Sequence, residues 1–291
     1  MKKLIVRISE GLGNQLFIYA FSYALSKELN YELSIDNTSA YFKKKNQIRN
    51  YELNKFNIYS KICDPELKFD NTFSDFKRNI LIKFDNFKSN KSFLVENKNN
   101  NKLTSYQNYF NNNYANLLYL EGHFECEKFF INYSTDIKKQ FVIKNDFVET
   151  DNQYVDEIKK SNSVSICIRQ HRFSERGFSD LNKSNKFTLD TITYVKKSIK
   201  YFENKISNPK FFIWSNDFSN FDQITDKITI PNFTLVKTSD AVNDFYLFRF
   251  SKHFIVSPSS FHWWGAWLNE NPDKICLRPS NINPSNNKNF W

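Results

Sequence analysis

"KKLIVRISEGLGNQLFIYAFSYALSKEL", Lys2 to Leu29, is the stretch whose reading decides the fold. Its opening run, "KKLIVRI", is a short apolar segment of the kind a parallel sheet buries on both faces. Beyond it Leu16, Phe17, Ala20, Phe21, Ala24, Leu25 and Leu29 recur at helical spacing. Between strand and helix stand Gly11 and Gly13, two of only five glycines in 291 residues. Glycine serves where a backbone turns sharply or comes close to a ligand. The junction is therefore either a plain strand-to-helix turn or the mouth of a β-loop-α ligand unit.

The same grammar returns in the second half. "SVSICIR" (163–169), a helical "TLDTITYVKKSIKYFENK" (188–205), "KFFIWS" (210–215), "NFTLVK" (232–237), "DAVNDFYLFRFS" (240–251), "HFIVS" (253–257) and "SSFHWWGAWLNE" (259–270) alternate short apolar strands with helices. Such alternation predicts parallel α/β sheets. Residues 86–113 carry dense Asn and Lys with little apolar patterning, so a surface excursion is expected there. The break between two α/β halves falls near "VETDNQYVDEIKKSNS", giving domains of residues 1–155 and 156–291 with a cleft between them.

Charge narrows the partner. The 41 Lys and Arg exceed the 31 Asp and Glu by a formal +10, which favours an anion: a phosphate-bearing small molecule, an anionic membrane surface or nucleic acid. The basic residues are scattered through Lys-Asn stretches rather than gathered in one arm, so no nucleic acid is expected, and a basic nucleic-acid-binding protein is kept only as a rival. Cys63, Cys126, Cys167 and Cys276 lie far apart outside any C-x-x-C pair, which predicts free thiols in a reducing, cytoplasmic setting. The run at the amino terminus is too short for a signal peptide, and nowhere do about 20 apolar residues run together. Soluble or peripheral at the inner face of a membrane is the expected state.

Candidate site residues follow from position. The Gly11–Gly13 turn lacks the third glycine of G-x-G-x-x-G, since Leu16 occupies that place, which disfavours nicotinamide binding. A helix start still presents N–H groups to an anion, with Asn14 and Gln15 as added side-chain donors. Arg169 ends an apolar strand, where open α/β sheets bind ligands. It is a diphosphate-binding fork or an ordinary surface ion-pair partner. Gln170, His171, Arg172 and Arg176 raise the local density of donors. Ser259, Ser260 and Phe261 open the last helix, as plain caps or as phosphate contacts. Asp244 is a helix N-cap or a base-recognition carboxylate, and Thr188 with Asp190 reads as a helix start. No D-x-D cluster of carboxylates stands out.

"GLGNQLF" (11–17), "YELNKFNI" (51–58), "LEGHFECEKFF" (120–130), "FFIWSND" (211–217) and "SSFHWWGAWL" (259–268) together resemble, in order and over nearly the whole chain, the landmarks of glycosyltransferase family 11, the α-1,2-fucosyltransferases. The resemblance implies a GT-B arrangement of two facing Rossmann-like domains: an acceptor-binding first half and a GDP-sugar-binding second half. It implies GDP-fucose as co-substrate without a further cofactor, a glycan acceptor whose galactose-type O2 attacks the donor sugar, inversion, and metal independence. The family's H-x-R-R-x-D motif appears here as "CIRQHR", so Arg169 survives while Cys167, Gln170 and Arg172 stand in for the histidine, second arginine and aspartate. That departure leaves room for another GDP-sugar.

The donor-binding set under this resemblance is Gly11, Gly13, Asn14, Arg169, His171, Asp244, Ser259, Ser260 and Phe261. Arg169 also stabilises the departing diphosphate. Glu10, where the family usually carries glycine, is the candidate base or merely an acid favoured at a helix N-terminus. Glu125, Glu127 and Glu175 are the other candidate bases. His123 and His262 lie inside landmarks and are packed residues or catalysts.

Overall fold

Two five-stranded sheets, all of whose named strands pair in parallel, organise the chain in a computed structural model. The structure describes residues 2–43, 49–96, 107–150, 152–170, 172, 180–219, 221–280 and 282. The chain passes from one compact unit to the other between Lys144 and Asn145, ahead of the expected break at residue 155. The shift has a packing cause: the helix Tyr154–Lys160 belongs to the second sheet and buries Val155 and Ile158.

In the first unit β1 (Lys3–Arg7) leads into α1 (Leu12–Leu29) and β2 (Glu32–Asp36), followed by β3 (Lys61–Ile62), α2 (Thr72–Asp85), β4 (Lys91–Val95), α3 (Gln107–Phe110), β5 (Tyr114–Glu121) and α4 (Ser134–Gln140). The sheet order is β3-β2-β1-β5-β4. α1 is apolar nearly all round and is buried from Leu12 to Ser26 except at Asn14, as a helix enclosed on every side must be. β4 lies inside the stretch expected to be a surface excursion. Its five residues, "KSFLV", are too short and too mixed to announce a strand, and parallel pairing with β5 creates it.

The second unit begins with α5 (Tyr154–Lys160) and β6 (Asn162–Ile168), then α6 (Leu181–Lys205), β7 (Pro209–Ser215), α7 (Asp222–Ile228), β8 (Phe233–Leu235), α8 (Ala241–Phe248), β9 (His253–Ile255), α9 (Ser260–Leu268) and β10 (Cys276–Leu277). Its order, β10-β9-β6-β7-β8, is that of a Rossmann-type sheet with β6 at the centre. Val164, Ile166, Ile168, Phe211, Ile213 and Ile255 on the strands pack against Ile192, Val195, Ile199 and Phe202 of α6. The helix expected from Thr188 starts at Leu181 instead, because the Asp180 side chain accepts from the Lys183 N–H and caps it there. Thr188 thus sits inside the helix, its hydroxyl donating to the Ser184 carbonyl at 3.1 Å.

Candidate active site

Each sheet reverses its strand order at one point, and ligands of open α/β sheets bind beyond the carboxyl ends there. In the second unit that point lies between β6 and β9, which pair through Val164 with His253, Ser165 with Phe254 and Ile166 with Ile255. Two segments distant in sequence thereby end side by side: Arg169 beyond β6, and Ser257 to Phe261 beyond β9.

The floor of this site is rigid. His262, fully buried, accepts the Ser257 N–H on Nδ1 at 3.2 Å and meets the Ser165 hydroxyl with Nε2 at 3.0 Å. Because Nδ1 accepts, Nε2 carries the proton. Burial pushes its pKa down to about 3, so the ring stays neutral and joins α9 to β6 and to the turn after β9. His262 is a packed residue held by both ring nitrogens. Ser259 occupies the N-cap position of α9 in extended backbone, but its side chain makes no capping bond. The Phe261 ring packs on Phe245 and Phe248 of α8.

Asp244 is not a cap either. Asp240 caps α8, its carboxylate accepting from the Val242 and Asn243 N–H groups at 3.0 and 2.9 Å. Asp244 stands one turn in, half-buried, with the Thr238 hydroxyl donating to Oδ1 at 2.9 Å. Burial raises its pKa to about 7 against the pull of Thr238, and Asp240 adds to the rise. The buried Cys167 thiol joins this neighbourhood. Burial and then the Asp244 charge push it up to about 12, while the Ser257 hydroxyl and Arg169 pull the other way. Cys167, Arg169, Ser257 and Asp244 are thus brought together from three elements.

The loop after β6 is tied to the loop after β7. The Gln170 N–H donates to Asn216 Oδ1 at 2.7 Å, its Nε2 to the Asp217 carbonyl at 2.7 Å, and Asn216 Nδ2 returns a bond to the Gln170 carbonyl. Gln170 therefore positions the loop that carries Arg169. Arg172 lies over the Phe187 ring at 5.8 Å. His171, Glu175 and Arg176 lie outside the described residues. A surface cavity of about 560 Å³ lined by Arg249, Ser251, His253 and Asn271 sits at the amino end of β9, the edge opposite the switch point.

In the first unit the switch point lies between β1 and β5. The left-handed position of the turn after β1 falls on Glu10, at φ 68°, and not on a glycine. Gly11 is the N-cap of α1 in extended backbone, and Gly13 lies within its first turn. Glu10 is held on both sides: Gln15 Nε2 and the Tyr41 hydroxyl donate to its carbonyl at 2.9 and 3.2 Å, and Arg49 Nη1 donates to its Oε2 at 3.1 Å. Gln15 is fully buried, donates also to the Asn50 carbonyl at 2.8 Å and accepts the Glu52 N–H at 2.9 Å. Its amide locks the turn and offers no donor to a ligand. Asn14 is half-buried on α1.

Across this switch point Arg7, ending β1, donates to Glu121, ending β5, at 3.2 Å. Arg78 of α2 grips the same carboxylate through Nε and Nη2 at 2.6 and 3.0 Å. Sequence reasoning passed over this cluster, although Arg7 at a strand end was the same signal that picked out Arg169. Glu96, buried, accepts the His123 and Phe124 N–H groups at 2.7 and 3.1 Å. Glu125 is buried and Glu127 half-buried in the segment that follows. Among the described residues no group of three or more His, Cys, Asp or Glu could hold a metal ion. The four cysteines are free.

Two parallel-sheet units of this build are of the GT-B type of glycosyltransferase. The fold is shared with NodZ, an α-1,6-fucosyltransferase from Bradyrhizobium in crystals soaked with GDP-fucose, at a TM-score of 0.53 and 14% identity over 92% of this chain and 93% of that one. The chain belongs to glycosyl transferase family 11, whose profile matches residues 3–289. It is 27% identical over 288 residues to an α-1,2-colitosyltransferase of Escherichia coli, covering 96% of this chain and 92% of that protein. It is 26% identical over 296 residues to the O-antigen biosynthesis glycosyltransferase WbnK of Escherichia coli, covering 97% and 95%. The family decides the class in favour of a transferase over a nucleic-acid-binding protein.

Proposed function

We propose that the chain transfers L-fucose from GDP-fucose, with inversion at the sugar carbon, to O2 of a galactose-type residue in a surface polysaccharide or lipid-linked glycan. The observation that carries this reading is the pairing of β6 with β9, which sets Arg169 beside the turn Ser257 to Phe261 at the switch point. The acceptor hydroxyl attacks the anomeric carbon, the bond from that carbon to the diphosphate oxygen breaks, and GDP leaves with the electron pair. Arg169 and the N–H groups opening α9 face the charge that develops on the diphosphate. Asp244 accepts from guanine N1 and N2, and those donors favour its ionised form against the burial that raises its pKa. The second unit is the donor half in this reading and the first the acceptor half.

A base takes the proton of the attacking hydroxyl. Glu10 is the first candidate, followed by Glu125, Glu127 and Glu175. Gly11, Gly13, Asn14 and His171 complete the set of donor contacts in this reading. GDP-fucose is a co-substrate, no cofactor takes part, and turnover continues in excess EDTA. The enzyme works in the cytoplasm, at the inner face of the membrane.

A second reading keeps the chemistry and changes the sugar. The similarity to an α-1,2-colitosyltransferase, with Cys167, Gln170 and Arg172 in place of the family motif, favours a GDP-linked colitosyl donor. Incubation with a panel of GDP-sugars and β-galactosides, with the product linkage read by NMR, separates the two. Turnover only with another GDP-sugar removes the fucosyl reading, and no turnover with any GDP-sugar removes both.

A further inference from the structure

α2 is amphipathic in the opposite sense to a helix that covers a core. Phe73, Phe76, Ile80 and Phe84 recur at spacings of three and four, and Phe87 extends the row just past the helix end. At 3.6 residues per turn the four helical members fall within about 80° of the circumference. All five are exposed, from 38% for Ile80 to 88% for Phe87. Isolated exposed apolar residues are ordinary, but a contiguous row of four Phe and one Ile marks an interaction surface.

The opposite face explains why this row looks outward. Asp75 pairs with Lys43 and Arg78, and Arg78 grips Glu121 at the end of β5. Asp85 accepts the Ser92 and Phe93 N–H groups of β4 at 2.9 and 3.0 Å. The sheet takes up the polar face of α2 through directional bonds and leaves the apolar one outside. Both acids of the helix are buried in those bonds, whereas Lys77, Lys83 and Lys88 are exposed. On the helical projection Lys77 and Lys83 border the apolar row on either side.

We propose that α2 is a membrane-docking helix, which lies in the plane of an anionic phospholipid surface with its phenylalanines at the acyl boundary and its lysines among the headgroups. Charge selects this occupant: an apolar row whose exposed charged neighbours on the helix are both cations, Lys77 and Lys83, complements a negative surface, the pattern of interfacial helices. Long lysine stems let the ammonium groups reach headgroup level while the rings go deeper. No helix among the described residues is long and apolar enough to cross a membrane, so this contact is a peripheral one. As an address for the enzyme the inference rests on the reading of a membrane-linked glycan acceptor. As a property of the surface it is measured without turnover.

The test is sedimentation of the full chain with vesicles of one part phosphatidylglycerol to two parts phosphatidylcholine, against pure phosphatidylcholine. The wild type pellets with the anionic vesicles, less so at high salt. Phe76→Ser with Phe84→Ser, and separately Lys77→Gln with Lys83→Gln, each weaken that binding by about tenfold or more while GDP-sugar affinity stays unchanged. A wild type left in the supernatant with anionic vesicles overturns the proposal, as does wild-type binding by the phenylalanine pair. A dimer in light scattering that the phenylalanine pair returns to monomer, with no vesicle binding, also overturns it and makes the face a contact between copies. If the phenylalanine pair does not fold, the lysine pair decides by the same readout.

Discussion

His262 and Ser165 share a hydrogen bond of 3.0 Å beneath the switch point of the second sheet, and the same ring accepts the Ser257 N–H from its other nitrogen. The folded pKa of about 3 lies below the ordinary 6.5, so the unfolded chain binds a proton that the folded one does not. The stabilising contribution is complete above about pH 6.5 and is lost as pH falls toward 3, at up to about 1.4 kcal/mol per pH unit. Denaturant unfolding between about pH 6.5 and pH 5 therefore falls more steeply for wild type than for His262→Asn. Equal slopes would show that the ring titrates normally.

Arg169→Ala should lower transfer by about 100-fold or more, since one lost donor at a developing charge costs about 2.7–4 kcal/mol. The mutant should keep the wild-type melting temperature, because Gln170 and Asn216 hold the loop independently. Near-normal turnover in a folded Arg169→Ala protein would remove Arg169 from the diphosphate site.

Asp244 tests base recognition through both binding and pH. Its folded pKa of about 7 stands above the ordinary 3.8, so its contribution is favourable below about 3.8 and is lost as pH rises through 7. Without ligand, Asp244→Asn should become progressively more stable than wild type from about pH 4 to pH 7. With ligand, calorimetry should show the variant losing its preference for GDP over ADP, because a site built around a polar edge discriminates by the groups left unpaired. Unchanged GDP affinity returns Asp244 to a purely structural role beside Thr238.

Two substitutions at Glu10 separate backbone from carboxylate. A left-handed conformation costs a non-glycine residue about 1–2 kcal/mol, and both variants lose the part-buried pairing with Arg49. Glu10→Gly should therefore melt above Glu10→Gln, which keeps the strain as well as losing the pair. If Glu10 is the base, kcat falls by about 100-fold or more in both, with GDP-sugar affinity retained. Rates within a few-fold of wild type move the search to Glu125, Glu127 and Glu175.

Much of the molecule was legible in order along the chain. Apolar runs such as "KKLIVRI" and "SVSICI" are strands because both faces of a parallel sheet are buried, and that pattern is local. β4 was hidden because "KSFLV" becomes a strand only through its partner. The start of α6 was hidden because Asp180 caps it from outside the apolar repeat.

The sequence by itself determined the two-unit parallel α/β class, the strand-end position of Arg169, the hydroxyl-rich turn before α9 and the family landmarks. All of these are spacings within short segments, set by backbone geometry and side-chain type. Tertiary structure alone decided which segments meet. Strand order set Arg169 beside Ser257 to Phe261, buried His262 as a strut, and spent the Gln15 amide on the carbonyls of Glu10 and Asn50. It also turned the polar face of α2 inward, because Glu121 and the β4 amides offer bonds that no apolar side chain could make. Pairing of groups far apart in the chain depends on sheet order and burial, and neither is encoded in any local spacing.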